Sequence, residues 1–146
     1  MRVIPPIVGV LYLGAAWGLE YLLPNIRIIS LSYHRIGLVL IGAGMVLAVW
    51  SVLLFKRART PIDTFDTPTA LVVDGPFRFS RSPMYVSLTV VLSGIAVYLG
   101  TLPWFLAPIA FALTMNASHI PREERNLERQ FGQAYLDYKN RVRRWL

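Results

Sequence analysis

The sequence predicts an all-α integral membrane protein, with four transmembrane helices and a C-terminal amphipathic helix at the cytoplasmic interface. Three observations carry that prediction. Hydrophobic residues make up 55% of the 146 and charged residues 16%, well below the roughly 25% charged of an average soluble domain. Residues 36–55 (IGLVLIGAGMVLAVWSVLLF) contain no charge, and a helix of that length spans roughly 30 Å, the thickness of a bilayer's hydrocarbon core. With the N-terminus inside, Arg2, Lys56, Arg57, Arg59, Arg78, Arg81, Arg122, Arg125, Arg129, Lys139, Arg141, Arg143 and Arg144 share one side and only Arg27 and Arg35 the other. That asymmetry is what the positive-inside rule expects. It places both termini in the cytoplasm; the membrane expected is the inner or plasma membrane of a prokaryote.

The first helix runs over about 3–23, with Pro5 and Pro6 near its start, where proline is tolerated, and Glu20 near its end. Cleavage as a signal peptide near Ala15 and Ala16 is the alternative. The apolar run continues to Leu23 with only Arg2 ahead of it, which favours a retained helix. In the second helix, 36–55, Gly42, Gly44 and Ala48 suit close helix packing better than the lining of a tunnel. The spans 84–100 and 102–117 are near the lower length limit and are separated by a tight Gly100-Thr-Leu-Pro103 turn. They form a helical hairpin with Tyr98 and Trp104 as interface anchors. Pro121 suits the first turn of a helix over about 121–142, in which Leu127, Phe131, Tyr135, Tyr138 and Val142 recur at helical spacing. Gly132 is a point of interruption, since glycine costs about 1 kcal/mol in a helix interior. No linker or internal repeat divides the chain, so residues 1–146 make one domain.

Composition also excludes several chemistries. Cysteine is absent, which removes disulfides, thiolate metal sites and a cysteine nucleophile. His34 and His119 fall on opposite sides of the predicted membrane and the carboxylates have no ligand-like spacing, so no metal is expected. Neither a Walker-type loop nor a dinucleotide glycine fingerprint occurs. The net charge of +7 is explained by topology and by contact with anionic membrane lipids, not by nucleic acid.

Two polar blocks bracket the hairpin: Asp74-Gly-Pro-Phe-Arg-Phe-Ser-Arg-Ser-Pro-Met-Tyr85 before it and Pro121-Arg-Glu-Glu-Arg-Asn-Leu-Glu-Arg-Gln-Phe-Gly-Gln-Ala-Tyr135 after it. The first closes a long loop, 56–83, in which Thr60-Pro61 and Thr67-Pro68 favour extended backbone. There Phe77 and Phe79 alternate with Arg78 and Arg81, either as a topological anchor or as one side of a site. In the second block, Glu123, Glu124 and Glu128 either complement a helix dipole while the arginines touch lipid phosphate, or form the other side. A hairpin that crosses and returns brings both blocks to one face, where arginines and an acidic pair can build one pocket.

These motifs, Gly75-Pro-Phe-Arg-Phe-Ser-Arg-Ser-Pro-Met-Tyr85 and Glu123-Glu-Arg-Asn-Leu-Glu-Arg-Gln-Phe-Gly-Gln-Ala-Tyr-Leu-Asp-Tyr138 around two short membrane helices, resemble the C-terminal core of the isoprenylcysteine carboxyl methyltransferase family, within a wider group that includes phospholipid N-methyltransferases. The resemblance covers roughly residues 60–145 and implies an integral-membrane methyltransferase that uses S-adenosyl-L-methionine (AdoMet), held at the cytoplasmic face in a pocket unlike a Rossmann domain. By the same resemblance, Gly75, Pro76, Arg78, Arg81, Ser82, Pro83, Met84 and Tyr85 form one cofactor-binding wall and Glu123 and Glu124 another. The family commonly has histidine where this chain has Ser82, which keeps a hydrogen-bonding group but not a cationic or stacking imidazole.

Methyl transfer from a sulfonium is an in-line displacement, so the protein must mainly align donor and acceptor. An acidic pair suits the cofactor's ammonium or ribose hydroxyls, with Glu124 the first choice and Glu123 the second, and arginine suits its carboxylate. Either glutamate could instead orient substrate. Asn116 adds a polar contact or a helix-packing hydrogen bond. The acceptor is a lipophilic or small molecule, isoprenoid or lipid-like, bearing a carboxylate, thiol or amine. Arg125, Arg129 and Glu123 are the candidate catalytic residues: the arginines to hold a carboxylate acceptor, whereas an amine would first need deprotonation. A membrane reductase related to the sterol reductases and a non-catalytic membrane protein are the alternatives.

Overall fold

The computed structural model describes residues 4–23, 26–60 and 68–146. Arg2, Val3, Pro61 and Thr67, each part of an expectation above, lie outside the described residues. Six helices follow in order: α1 Pro5–Leu22, α2 His34–Arg57, α3 Pro83–Leu99, α4 Leu102–Thr114, α5 Ile120–Phe131 and α6 Gln133–Arg141. Short 3-10 turns occupy Leu31–Tyr33 and Gly75–Arg78, and a π-helical turn, Met115–His119, joins α4 to α5. Among the described residues no strand forms beyond an isolated bridge between Arg27 and Thr101.

Proline stands in the first turn of four of these helices: Pro5 and Pro6 in α1, Pro83 in α3, Pro103 in α4 and Pro121 in α5; in the first three its missing N–H leaves no bond unmade. Gly100 stops α3 in the left-handed region at φ 75°, and its carbonyl accepts from Ile28 N at 2.8 Å and Ile29 N at 3.1 Å. A Cβ there would lie 2.7 Å from Ile29 O, so the turn requires glycine. Trp104 is tied inward at this end, because its Nε1 donates to Glu20 Oε2 at 2.9 Å and Thr101 Oγ1 donates to Glu20 Oε1 at 2.9 Å.

Two expected boundaries differ. The span predicted to end at 117 continues through the π turn into α5, with Ile120 N bonded to Met115 O. Pro121 has no N–H for the carbonyl four residues back and its ring crowds that carbonyl; a widened turn absorbs both defects without ending the helix. The single amphipathic helix predicted over 121–142 is two, because Gly132 adopts φ 52°, ψ −125° and its carbonyl then nucleates α6 through Tyr135 N and Leu136 N.

By length and composition α2 is the helix among the described residues that is long and apolar enough to cross a membrane, and α3 is apolar but only 17 residues. The outer face of α2 exposes Leu38, Val39, Met45, Val46, Val49 and Leu53. Its inner face packs on α3, the most extensive helix contact, while α1 lies on α4 and α4 on α3. Glycine makes the α2–α3 approach possible: a Cβ on Gly37 would be 2.6 Å from Gly94 O, one on Gly94 2.8 Å from Gly37 O, and one on Gly44 2.8 Å from Ser87 O. Gly42 instead faces open space, and Ala48 lines a cavity, contrary to the packing role expected of both. The buried core of Val8, Tyr85, Leu92, Phe111, Met115 and Ile120 joins α1, α3, α4, α5 and the π turn, with Trp145 packed against it. The chain's C-terminus thus meets the bundle near the start of α3 and the start of α5.

Candidate active site

The arginine wall is built by a turn that α2 supports. Gly75 sits at φ +58°, and a Cβ there would come within 2.8 Å of Leu54 Cδ1 and 3.3 Å of the Trp50 ring. Close approach and positive φ both demand glycine. Phe77 is buried beside Phe55, ring centroids 5.4 Å apart. Ser80 Oγ accepts from Ser82 N at 3.1 Å and donates to Arg144 O at 3.2 Å, and Arg81 N donates to Arg143 O at 2.9 Å. The entry to α3 is therefore laced to the last residues of the chain.

The acidic wall is the first turn of α5, where consecutive residues point about 100° apart. Glu124 turns toward two guanidinium groups: Arg81 Nη1 lies 3.0 Å from its Oε1, while Arg144 grips it with Nε to Oε1 at 3.1 Å and Nη2 to Oε2 at 2.8 Å. The Arg144–Glu124 hydrogen bond raises the Arg144 pKa further. Arg144 Nη1 and Trp145 Nε1 both donate to Asn116 Oδ1 at 3.2 Å. Glu123 is half-buried as a residue, but its Oε2 is buried with no hydrogen-bond partner. Burial pushes its pKa up to about 7, against a hydrogen bond from Tyr85 that lowers it and a further rise from the Glu124 charge.

Between these walls lies a cavity of about 330 Å³. Pro5 and Pro6 of α1, Ala48, Val52 and Phe55 of α2 and Leu88 of α3 make it apolar on one side, and Arg81, Ser82, Tyr85 and Glu123 make it polar on the other. Arg81 keeps two buried nitrogens, Nε and Nη1, with no hydrogen-bond partner; although Nη1 is near Glu124, the contact is a charge pair without an aligned hydrogen bond. Buried polar groups are ordinarily satisfied, so unpartnered atoms on two residues of opposite charge that line one chamber mark that chamber as the candidate ligand site. Behind this wall Tyr135 and Tyr138 are buried. Burial, followed by the Glu124 charge, lifts the Tyr135 pKa to about 12, and burial raises Tyr138 as well. Both hydroxyls stay protonated.

Of the residues singled out in the sequence, the cavity takes Arg81, Ser82, Pro83, Met84, Tyr85 and Glu123. Gly75 and Pro76 lie outside its lining, Gly75 against α2. Arg78 is exposed, and Glu124 is occupied by Arg144 and Arg81. Arg125 and Arg129 are exposed on α5 and do not line the cavity. Sequence reasoning takes Arg144 only as one of the basic residues of the inner side and gives no role to Trp145 or Val52, nor a place in a site to Pro5 and Pro6; the sole hint is an Arg-Trp pair past the last helical residue.

The model of the phospholipid methyltransferase family matches residues 33–134. A stretch of 63 residues is 44% identical to an uncharacterized protein of Haemophilus influenzae, and that stretch is 43% of this chain and the whole of the relative. No solved structure matches this chain. The family match takes in α2, the arginine wall, the hairpin and the acidic wall, and this chain belongs to the phospholipid methyltransferase family.

Proposed function

We propose that this chain is an AdoMet-dependent methyltransferase that modifies an isoprenoid or lipid-like acceptor in the inner or plasma membrane of a prokaryote. One observation carries the reading: Arg81 and Glu123, of opposite charge, line one cavity whose other side is apolar, and each holds buried polar atoms without a hydrogen-bond partner. The methionyl end of AdoMet is a carboxylate beside an ammonium, which matches that pair. Bound there, AdoMet supplies an electrophilic methyl group on a sulfonium.

The chain's residues do the positioning. Arg81 holds the carboxylate through its spare N–H groups, and Glu123 holds the ammonium in its ionised form. Ser82 stands beside them, and the Tyr85 hydroxyl donates to Glu123. The apolar side, from Pro5 to Val52 and Leu88, takes the hydrocarbon part of the acceptor and excludes water from the reacting centre. A carboxylate, thiol or amine presented there attacks in line, and no covalent intermediate with the protein is needed. The donor set leads to Glu123 over Glu124 as the carboxylate that meets the cofactor, because Glu124 already has both oxygens engaged. In this reading residues 1–146 work as one domain, α1 to α4 all cross the bilayer with both termini cytoplasmic, and exposed Arg125 and Arg129 face anionic headgroups.

Calorimetry on purified protein tests the cofactor. AdoMet and its demethylated product are expected to bind saturably, and Arg81→Ala and Glu123→Gln to weaken both without unfolding the chain. Binding of NADPH alone would favour a reductase, and binding of none of the three would sink the assigned site. Labelled AdoMet incubated with membrane extract, followed by mass spectrometry of the labelled product, then identifies the acceptor.

A further inference from the structure

The last residues of the chain are fastened to the site at five points: Arg143 O to Arg81 N, Arg144 O to Ser80 Oγ, the Arg144 side chain to Glu124 and to Asn116, and Trp145 Nε1 to Asn116. The Arg144 side chain is 34% exposed, whereas the Glu124 side chain that it grips is 9% exposed. Both Glu124 oxygens are engaged by Arg144 in a parallel pair of hydrogen bonds. Arg81 Nη1 lies 3.0 Å from Oε1 of the same carboxylate, the oxygen that Arg144 Nε also reaches, but out of line, and Arg81 keeps Nε and Nη1 without a hydrogen-bond partner.

This division of one carboxylate between two guanidinium groups is uneven in a telling way. A carboxylate has room for one bidentate fork. Here the more exposed arginine takes it, and the more buried arginine, the one that lines the cavity, does not. We infer that Arg144 is a positioning residue: by closing its fork on Glu124 it prevents Arg81 from doing so, and so reserves the Arg81 guanidinium for the anionic group of the ligand. Without Arg144, Glu124 would be a buried carboxylate with Arg81 as its remaining close cation, and in a medium of low dielectric the two would pair fully. Arg81 would then turn from the cavity.

The inference rests on the assignment of Arg81 to the AdoMet carboxylate, and the experiment separates the two. Binding of AdoMet and of decarboxylated AdoMet, which keeps the sulfonium, nucleoside and amine but lacks the carboxylate, is measured by calorimetry on the full chain in detergent. The native protein is expected to prefer AdoMet by about tenfold, as a charge-assisted hydrogen-bonded pair implies. Arg144→Gln is expected to abolish that preference, while its affinity for decarboxylated AdoMet stays within about threefold of native. Arg144→Lys keeps the charge without the fork and is expected to fall between; it carries the comparison if the glutamine variant does not fold. An equal loss for both ligands, or an unchanged preference, overturns the inference and makes Arg144 an anchor of the C-terminus only. A native protein with no preference for the carboxylated ligand overturns the Arg81 assignment itself, and this inference with it.

Discussion

The Tyr138 hydroxyl donates to the Phe77 carbonyl at 2.7 Å, a buried bond between residues 61 apart in sequence. It pins α6 to the turn that leads into Arg81, with Tyr138 4% and Phe77 5% exposed. Burial keeps the phenol neutral and therefore a donor. Tyr138→Phe leaves the carbonyl oxygen without its partner in a dry site, which is expected to lower stability by about 1–3 kcal/mol. A thermal melt in detergent reads the change; an unaltered midpoint would show that the bond does not hold the two blocks together.

Packing of α2 on α3 gives a second expectation with its own control. Alanine at Gly94 would put a Cβ 2.8 Å from Gly37 O and from the Ile41 backbone nitrogen, contacts that backbone cannot yield without moving a helix. Gly94→Ala should destabilise by about 1–3 kcal/mol. At Gly42 nothing lies within 4 Å, so Gly42→Ala should be neutral or stabilising by up to about 1 kcal/mol through helix propensity. Equal effects at the two sites would contradict the interface.

Gly75 separates support from contact. Gly75→Ala forces a side chain into φ +58° and onto Leu54 at 2.8 Å, so a stability loss of about 1–3 kcal/mol is expected. Because Gly75 does not line the cavity, the fraction that folds should bind AdoMet with native affinity. Weakened binding in folded protein would return this residue to the cofactor wall.

The pH dependence follows from Glu123, whose pKa is raised from 4.5 to about 7. Between those values the folded state holds a proton that the unfolded state has released, so the stability of the ligand-free protein falls as pH rises through that window and levels off above it. Glu123→Gln should remove this component. A ligand ammonium favours the ionised carboxylate, so AdoMet affinity should rise with pH through about 7 in the native protein and stay flat in the variant. Titration calorimetry across that range checks both signs.

How much of this was legible is clearest at the two glutamates. Their neighbourhood with Arg81 could be read from two polar blocks on either side of a helical hairpin, because a chain that crosses and returns must bring its flanks together. Which of the two faces the cavity could not. A helical step of about 100° separates their directions, and the phase of α5 is set by the π turn at Met115–His119 and by Arg144 returning from 20 residues away, neither of which leaves a local signal. Arg125 and Arg129, close to the glutamates in sequence, stand exposed on α5 for the same reason of phase.

The amino-acid sequence by itself determined the helical class, the long apolar α2, the turn at Gly100, the break at Gly132 and the family motifs. Each of these depends on local composition: hydrophobic length, proline without a donor, glycine without a Cβ. Tertiary structure alone decided the closeness of α2 to α3, the α1 prolines in the lining of the cavity, and the engagement of Glu124 by Arg144. Those features arise from the packing of segments distant in sequence, where the orientation of a side chain is set by what arrives from elsewhere in the chain.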